Sequence, residues 1–202
     1  MIRFGKKPSD SLVEHYLKTC RTLDFNYPFV GQTRNLIDAG NAPKGFRLDR
    51  FSYYVGSGES VFNAVADAIE HWEMFNHSMA DLRYLSPEIE SGNTVVVVFG
   101  SMGLWTINPA RIIYKLDQSR QQGKIQQAGF GYGTTDGHIA TGEELFHVDW
   151  NRESDEVHFR ITVFSHPGSL LAWIGKPYMT YQQRRFRRLA AKAISTKCEK
   201  IR

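Results

Sequence analysis

The sequence has few cysteines and no long apolar run. Its 202 residues include two cysteines, Cys20 and Cys198, which lie near opposite ends of the chain. This placement excludes a disulfide framework and a C-x-x-C zinc site, so we expect two free thiols. No window approaches the roughly 18 consecutive apolar residues of a membrane span, and the first residues lack the apolar segment of a signal peptide. We therefore predict a soluble cytoplasmic protein.

Compact catalytic and metal motifs are also absent. The chain has no nucleophile elbow, and its histidines lack the close spacing of a metal site, since His71 and His77 would lie on different faces of a helix. The G-x-G-x-G pattern of residues 129–133 differs from a phosphate loop, because a further strand follows where that loop needs a helix. We predict neither a metal nor a cofactor.

Basic residues are concentrated in the C-terminal segment. Residues 176–202 contain nine lysines and arginines and one glutamate, a net charge of +8, whereas the rest of the chain carries −4. The arginines stand among aromatic residues, a pattern typical of a helix on an anionic membrane or a nucleic acid. The alternative is a helix with a solvated basic face that needs no partner. The predicted anionic-surface residues are Arg184, Arg185, Arg187 and Arg188.

The predicted elements occur in the order helix, strand, helix, a run of strands and a long helix. Short spacing between consecutive strands favours an antiparallel meander, and the length suits one domain over 1–202. A curved antiparallel sheet around a long C-terminal helix is the α+β arrangement that buries both surfaces, and unfilled space between them becomes a cavity. The predicted strands span residues 45–56, 94–100, 104–116, 125–134, 141–150 and 156–164, and the predicted helices span 10–22, 59–76 and the residues from 168 onward.

Three alternating glycines mark the strand that contains GFGYGT. Pleating sends Gly129, Gly131 and Gly133 to one face, and Phe130 and Tyr132 to the other. A strand face without side chains bends easily and lets a ligand or a helix approach the backbone. We predict that these glycines curve the sheet and clear space beside a cavity.

The two glutamates of GEELFHVDW are separated by the same alternation. Glu144 shares a face with Phe146 and Val148, so it begins an apolar face, whereas Glu143 lies on the other face. A buried carboxylate must be paired, hydrogen-bonded or protonated. The candidate partner of Glu144 is Arg111, in the strand at 104–116, and the alternatives are a purely structural ion pair or an exposed strand end.

A proline within the predicted strand at 104–116 affects which of its side chains share one face of the sheet. Pro109 implies an edge position or a bulge, because proline cannot donate a ladder hydrogen bond. By strict alternation Tyr114 lies opposite Arg111. Both therefore line one cavity only if Pro109 or a bulge changes the local facing.

Several segments occur in the order found in a known family. From about Phe25 to Leu189 the chain resembles the bacterial and plant family called domain of unknown function nineteen-ninety. That family is grouped with the Bet v 1-like or START-like helix-grip proteins. The resemblance therefore implies a curved sheet around a long C-terminal helix and an apolar cavity, with a family domain at 25–202 after an N-terminal helical extension at 1–24. The segments are NYPFVGQTR, GFRLDR, GSG, HWEMF, GLWTINPARIIY, GFGYGTTDGH, GEELFHVDW, FSHPGSLLAWIGKP and QRRF.

The leading functional hypothesis is the binding of an apolar or aromatic small molecule or lipid in the cavity between the sheet and the C-terminal helix. A few polar groups would fix the orientation of the ligand. Helix-grip relatives include lipid and hormone carriers, cyclases and hydratases, so the fold alone does not choose among functions. The predicted ligand-binding residues are Arg111, Tyr114, Tyr132, Glu144, Gly129 and Gly131.

Two further hypotheses remain open. In a cyclase-like or hydratase-like enzyme, Glu144 would be the acid or base, Arg111 would stabilise an oxyanion, and His138 or His147 would assist. In a surface binder, the basic C-terminal helix would contact an anionic membrane or a nucleic acid.

Overall fold

The computed structural model describes residues 1–37, 40–101, 103–167 and 176–199. Within these ranges the chain forms eight strands, three α-helices and three short 3₁₀ turns, at Cys20–Thr22, Gln32–Asn35 and Glu73–Phe75. The helices are α1 Asp10–Thr19, α2 Glu59–Glu70 and α3 Lys176–Glu199. The strands are β1 Ile2–Phe4, β2 Arg47–Ser57, β3 Ala80–Tyr84, β4 Thr94–Ser101, β5 Leu104–Gln122, β6 Ile125–Thr134, β7 Ala140–Asn151 and β8 Glu156–Pro167.

All eight strands belong to one antiparallel sheet. The spatial order is β2-β8-β7-β6-β5-β4-β3, and β1 pairs with the first residues of β5. Strands β4 to β8 pair consecutively, which confirms the predicted meander. This large curved sheet with its C-terminal helix confirms the α+β helix-grip fold. No described helix is long and apolar enough to cross a membrane.

The inner face of the sheet is the face that packs against α2 and α3. The apolar side of α2 is buried, with Phe62, Val65 and Ile69 at most 1% exposed. The helix ends at Glu70, before the predicted boundary, because Trp72 adopts a left-handed backbone with φ of 60°. These side chains join inner-face sheet residues in the largest apolar cluster of the molecule.

The C-terminal helix α3 lies on the same inner face. Pro177 stands in the first turn of α3, where the amide that proline lacks would have no intrahelical partner. Its buried side includes Phe186, Ala190 and Ile194, whereas Tyr181 is 57% exposed. The predicted start of this helix, at residues 168–175, lies outside the described residues.

The outer face of the sheet is also covered. Ser9 caps α1 by accepting the Leu12 amide, and α1 packs Val13 and Leu17 against Val96 and other outer-face residues of β4 and β5. The segment after α1 continues over β7 and β8. Because both faces are buried, strand alternation alone does not identify the face that lines a cavity.

Strand β5 contains a bulge, at a different place from the proline. Its register with β4 continues through Pro109, which pairs with Val96. The register with β6 shifts between Ile112 and Tyr114. The extra residue places both Ile113 and Tyr114 in the outer-face cluster, while Ile112 belongs to the inner core.

Candidate functional site

A cavity of about 390 Å³ lies between the inner face of the sheet and α3. Its wall is predominantly apolar, and its size falls within the range typical of small-molecule sites. Strands β4 to β8 supply one side and the first part of α3 supplies the other. Apolar lining residues include Met79, Phe99, Ile139, Val163 and Phe186, and polar ones include Asn108, Tyr132, His138, Glu144 and Arg187.

Glu144 and Tyr132 form the polar centre of this wall. They are direct partners in the β6–β7 register, and the Tyr132 hydroxyl donates to Glu144 Oε2 over 2.7 Å. Burial raises the pKa of Glu144, while the Tyr132 hydrogen bond and the Arg187 charge act in the opposite direction. Burial and the Glu144 charge hold the pKa of Tyr132 well above its ordinary value, so the phenol stays protonated and donates.

Arg187 is the guanidinium that belongs to this cavity. It is 5% exposed, and its Cζ lies 3.6 Å from the centre of the Phe51 ring. Its Nη2 is 3.7 Å from Asp49 Oδ2. The prediction that Arg187 belongs to an anionic surface was therefore wrong, because this side chain lies inward on α3. Arg184, Arg185 and Arg188 are exposed.

His138 also lines the cavity. Its Nδ1 lies 2.9 Å from the Ala140 amide nitrogen and 3.0 Å from the Ala140 carbonyl oxygen, so it either accepts from the amide or donates to the carbonyl, according to the ring tautomer. Burial lowers the pKa of His138 to about 4, which keeps the ring neutral at physiological pH. His138 is therefore a poor proton acceptor.

The predicted pairing of Arg111 with Glu144 was wrong. Arg111 lies on the outer face, where its Nη2 donates to the carbonyl oxygens of Arg21 at 2.7 Å and Leu23 at 2.6 Å. Its guanidinium also lies over the Phe25 ring, 5.4 Å from the centre. Arg111 thus fastens the chain that follows α1 to the sheet and cannot stabilise an oxyanion in the cavity.

Tyr114, Gly129 and Gly131 are on the outer face as well, so placing them in the cavity was wrong. A Cβ atom on Gly131 would lie 2.6 Å from Tyr114 Cζ, and one on Gly129 would clash with the backbone of Phe146 and His147. The glycines therefore leave room for a tyrosine ring and for the neighbouring strand, and not for a ligand. The bulge in β5 does bring Tyr114 to the side of Arg111, but that side faces away from the cavity.

His147 is separated from the cavity by the sheet. The side chain is fully buried on the outer face, and its Nδ1 is 2.8 Å from Asp149 Oδ1. Gln127 donates to the same oxygen over 3.2 Å. His147 belongs to this buried polar cluster and does not assist Glu144.

Sequence reasoning missed the role of Glu143, which is 2% exposed on the outer face. Its Oε2 accepts the Gly31 amide at 2.7 Å and the Tyr27 hydroxyl at 3.0 Å, and its Oε1 accepts the Thr33 amide at 2.9 Å and the Thr33 hydroxyl. Burial raises the pKa of Glu143, and these donors oppose the rise. We call this set, Glu143 with Tyr27, Gly31 and Thr33, the outer clamp.

The outer clamp explains one of the sequence segments. Three of its members stand within NYPFVGQTR, a stretch with proline and glycine but without helix or strand periodicity. Asn26, in the same segment, donates to the Ala140 carbonyl over 3.2 Å. The segment and the start of β7 therefore form one hydrogen-bonded unit. The sequence signal that could have indicated it was Gly31 followed two residues later by Thr33.

The chain is similar along most of its length to two UPF0548 proteins. It is 29% identical to one from Dictyostelium discoideum over 192 residues, which cover 90% of this chain and 88% of that protein. It is 26% identical to one from Arabidopsis thaliana over 194 residues, 93% of each.

A solved structure supports the fold described above. The protein TTHA0849 from Thermus thermophilus superposes with a TM-score of 0.51 at 9% identity, over 76% of this chain and 98% of that one. A family model matches residues 26–193, which include the outer clamp and the cavity centre. This chain therefore belongs to the family described as Domain of unknown function (DUF1990).

Proposed function

We propose that this protein binds an apolar or aromatic small molecule or lipid in the cavity between the sheet and α3. The observation that carries the proposal is a predominantly apolar cavity of about 390 Å³ whose wall holds one hydrogen-bonded carboxylate, Glu144. An apolar wall favours a ligand of matching surface, and a few fixed polar groups orient it.

The polar centre formed by Glu144 and Tyr132 restricts which functional groups a ligand can place there. Glu144 accepts from Tyr132 through Oε2, which leaves Oε1 for a ligand donor. Burial raises the pKa of Glu144, and the Tyr132 hydrogen bond and the Arg187 charge oppose that rise. In its ionised form the carboxylate accepts hydrogen bonds and does not donate them. The ligand that fits is an apolar body with one hydroxyl, phenol or amine group that donates to Glu144.

Native mass spectrometry of the freshly purified full-length chain tests this proposal, followed by denaturing extraction of any retained compound. We expect one bound molecule per chain in the wild type. That added mass should be lost in Val163→Trp, because the larger side chain at this lining position would occupy the cavity. Leu85→Trp is the matched control, because Leu85 is 50% exposed. An apo mass for the wild type, together with no thermal shift from fatty acids, isoprenoid alcohols and phenols, would refute the proposal.

A second function, proton transfer on the bound molecule, is favoured by the burial of Glu144. A carboxyl whose pKa is raised by burial is a common form of general acid or base. In this version Arg187, and not Arg111, supplies the positive charge. Incubation of the extracted compound with the protein in D₂O would place deuterium on carbon, and Glu144→Gln would stop the exchange. Recovery of an unlabelled and unaltered compound would leave binding as the function.

A further inference from the structure

The guanidinium of Arg187 borders the cavity without a hydrogen-bond acceptor among the described residues. The side chain is 5% exposed, and its one described ion pair joins Nη2 to Asp49 Oδ2 over 3.7 Å, which is too long for a hydrogen bond. Asp49 is already held by Arg47, whose Nη2 and Nε lie 2.8 Å and 3.0 Å from Asp49 Oδ1. Because buried polar groups are normally hydrogen-bonded, the N–H groups of Arg187 are suited to a molecule in the cavity.

The sheet register separates this cation from Glu144. Asp49 of β2 and Glu144 of β7 pair with the same residue, Val163 of β8, from opposite sides, so their backbones are two strand spacings apart, about 10 Å. The Arg187 guanidinium stands on the β2 side, because it pairs with Asp49 and lies over the Phe51 ring. Among the described ion pairs, none joins Arg187 to Glu144. The cavity wall therefore offers a cation near β2 and a separate hydrogen-bond acceptor on β7.

We propose that the ligand carries a carboxylate that binds the Arg187 guanidinium. The planar fork of N–H donors on a guanidinium matches the two oxygens of a carboxylate, and burial strengthens such a charge-assisted pair. The donor that Glu144 accepts then belongs to a second group of the same molecule, which keeps the two negative groups apart. The ligand class is an apolar or aromatic acid with a separate hydroxyl, phenol or amine group. This inference rests on the proposed function, because it assigns the chemistry of the same cavity.

Two dyes that share one apolar body test this anion subsite. N-phenylnaphthylamine has aromatic rings and a single N–H group, and anilinonaphthalene sulfonate is the same molecule with a sulfonate that stands in for the ligand carboxylate. Fluorescence titration of the full chain at about 0.15 M salt, where exposed charges are substantially screened, measures both dissociation constants. We expect the wild type to bind the sulfonate dye about tenfold more tightly. Without a partner for the anion the order would be the reverse, because burying an unpaired charge is costly.

Variants of α3 assign the preference to one side chain. Arg187→Met removes the charge and keeps an apolar stem against Phe51, so it should weaken the sulfonate dye about tenfold and leave the neutral dye within about twofold. If that variant fails to fold, Arg187→Lys keeps the charge without the paired donors and should weaken only the sulfonate dye, by about threefold. Arg184→Gln is the matched control, because it removes one exposed charge from the same helix and should change neither constant by more than about twofold.

The outcomes distinguish this inference from the proposed function. Equal wild-type affinity for the two dyes, or an equal loss of both in Arg187→Met, would overturn the anion subsite and leave ligand binding in place. A preference for the sulfonate dye that Arg184→Gln also abolishes would assign the effect to surface charge and overturn the subsite as well. Failure of both dyes to bind, together with an apo mass in the native spectrum, would count against the proposed function itself, and the subsite would fail with it.

Discussion

Replacement of Glu143 by alanine should destabilise the fold more than removal of an exposed carboxylate. The change leaves the Thr33 amide without its acceptor in a fully buried position and the Gly31 amide without one in a half-buried position. An unpaired buried amide costs about 2 kcal/mol, and one that water partly reaches costs about 1 kcal/mol. The free energy of unfolding should therefore fall by about 3 kcal/mol.

Urea unfolding followed by tryptophan fluorescence measures this difference from the transition midpoint and slope. Glu90→Ala is the control, because Glu90 is exposed and its substitution should change the free energy of unfolding by less than about 0.5 kcal/mol. Hydrogen exchange should speed up at the amides of Gly31 and Thr33 before it changes in the sheet. A Glu143→Ala protein within about 1 kcal/mol of wild type, with unaltered exchange at both amides, would refute the outer clamp as a stabilising unit.

Other predictions concern the cavity carboxylate, a glycine and the helix contact. Burial raises the pKa of Glu144 in the folded chain above the ordinary value of 4.5 that it has in the unfolded chain. At a pH between the two pKa values, the folded chain therefore binds more protons than the unfolded chain. Unfolding free energy should fall as pH rises through that window, and Glu144→Gln should make the fall smaller in urea titrations at several pH values. Gly133→Ala should cost about 1–3 kcal/mol, because its Cβ would clash with the Tyr27 hydroxyl, and less in a Tyr27→Phe background; equal costs in both backgrounds would contradict this contact. Phe186→Ala should cost about 3–5 kcal/mol in the same assay, since Phe186 is 6% exposed between α3 and the sheet; a cost below about 1 kcal/mol would contradict its packing.

Local patterns predicted most of the elements and the relative facing of their residues. Alternation separated Glu143 from Glu144 correctly. The strands β1 and β3 were missed because they span only three and five residues, and all three residues of β1 are exposed. Hydrophobic periodicity reports burial, so it detects poorly a strand that gains its hydrogen bonds at an exposed margin.

The errors at the site share one physical cause. Both faces of the sheet are covered, so an apolar face and a glycine face give no indication of which one meets the cavity. Arg111 and Tyr114 have outer-face partners contributed by residues 21–33, which are about 80 to 90 positions away in sequence. Such contacts depend on how the segment after α1 returns across the sheet, and no local spacing contains that information.

Two adjacent residues of β7 connect the outer clamp to the cavity through a single peptide unit. Glu143 holds the loop at residues 27–33, and Glu144 holds the hydroxyl of Tyr132 on the opposite side of the sheet. A mutational screen that scores ligand retention should therefore recover substitutions in that loop, although its side chains contact the other side of the strand. Such variants would identify residues that set the position of the cavity carboxylate. Without the structure, these loop residues would be mistaken for residues that contact the ligand.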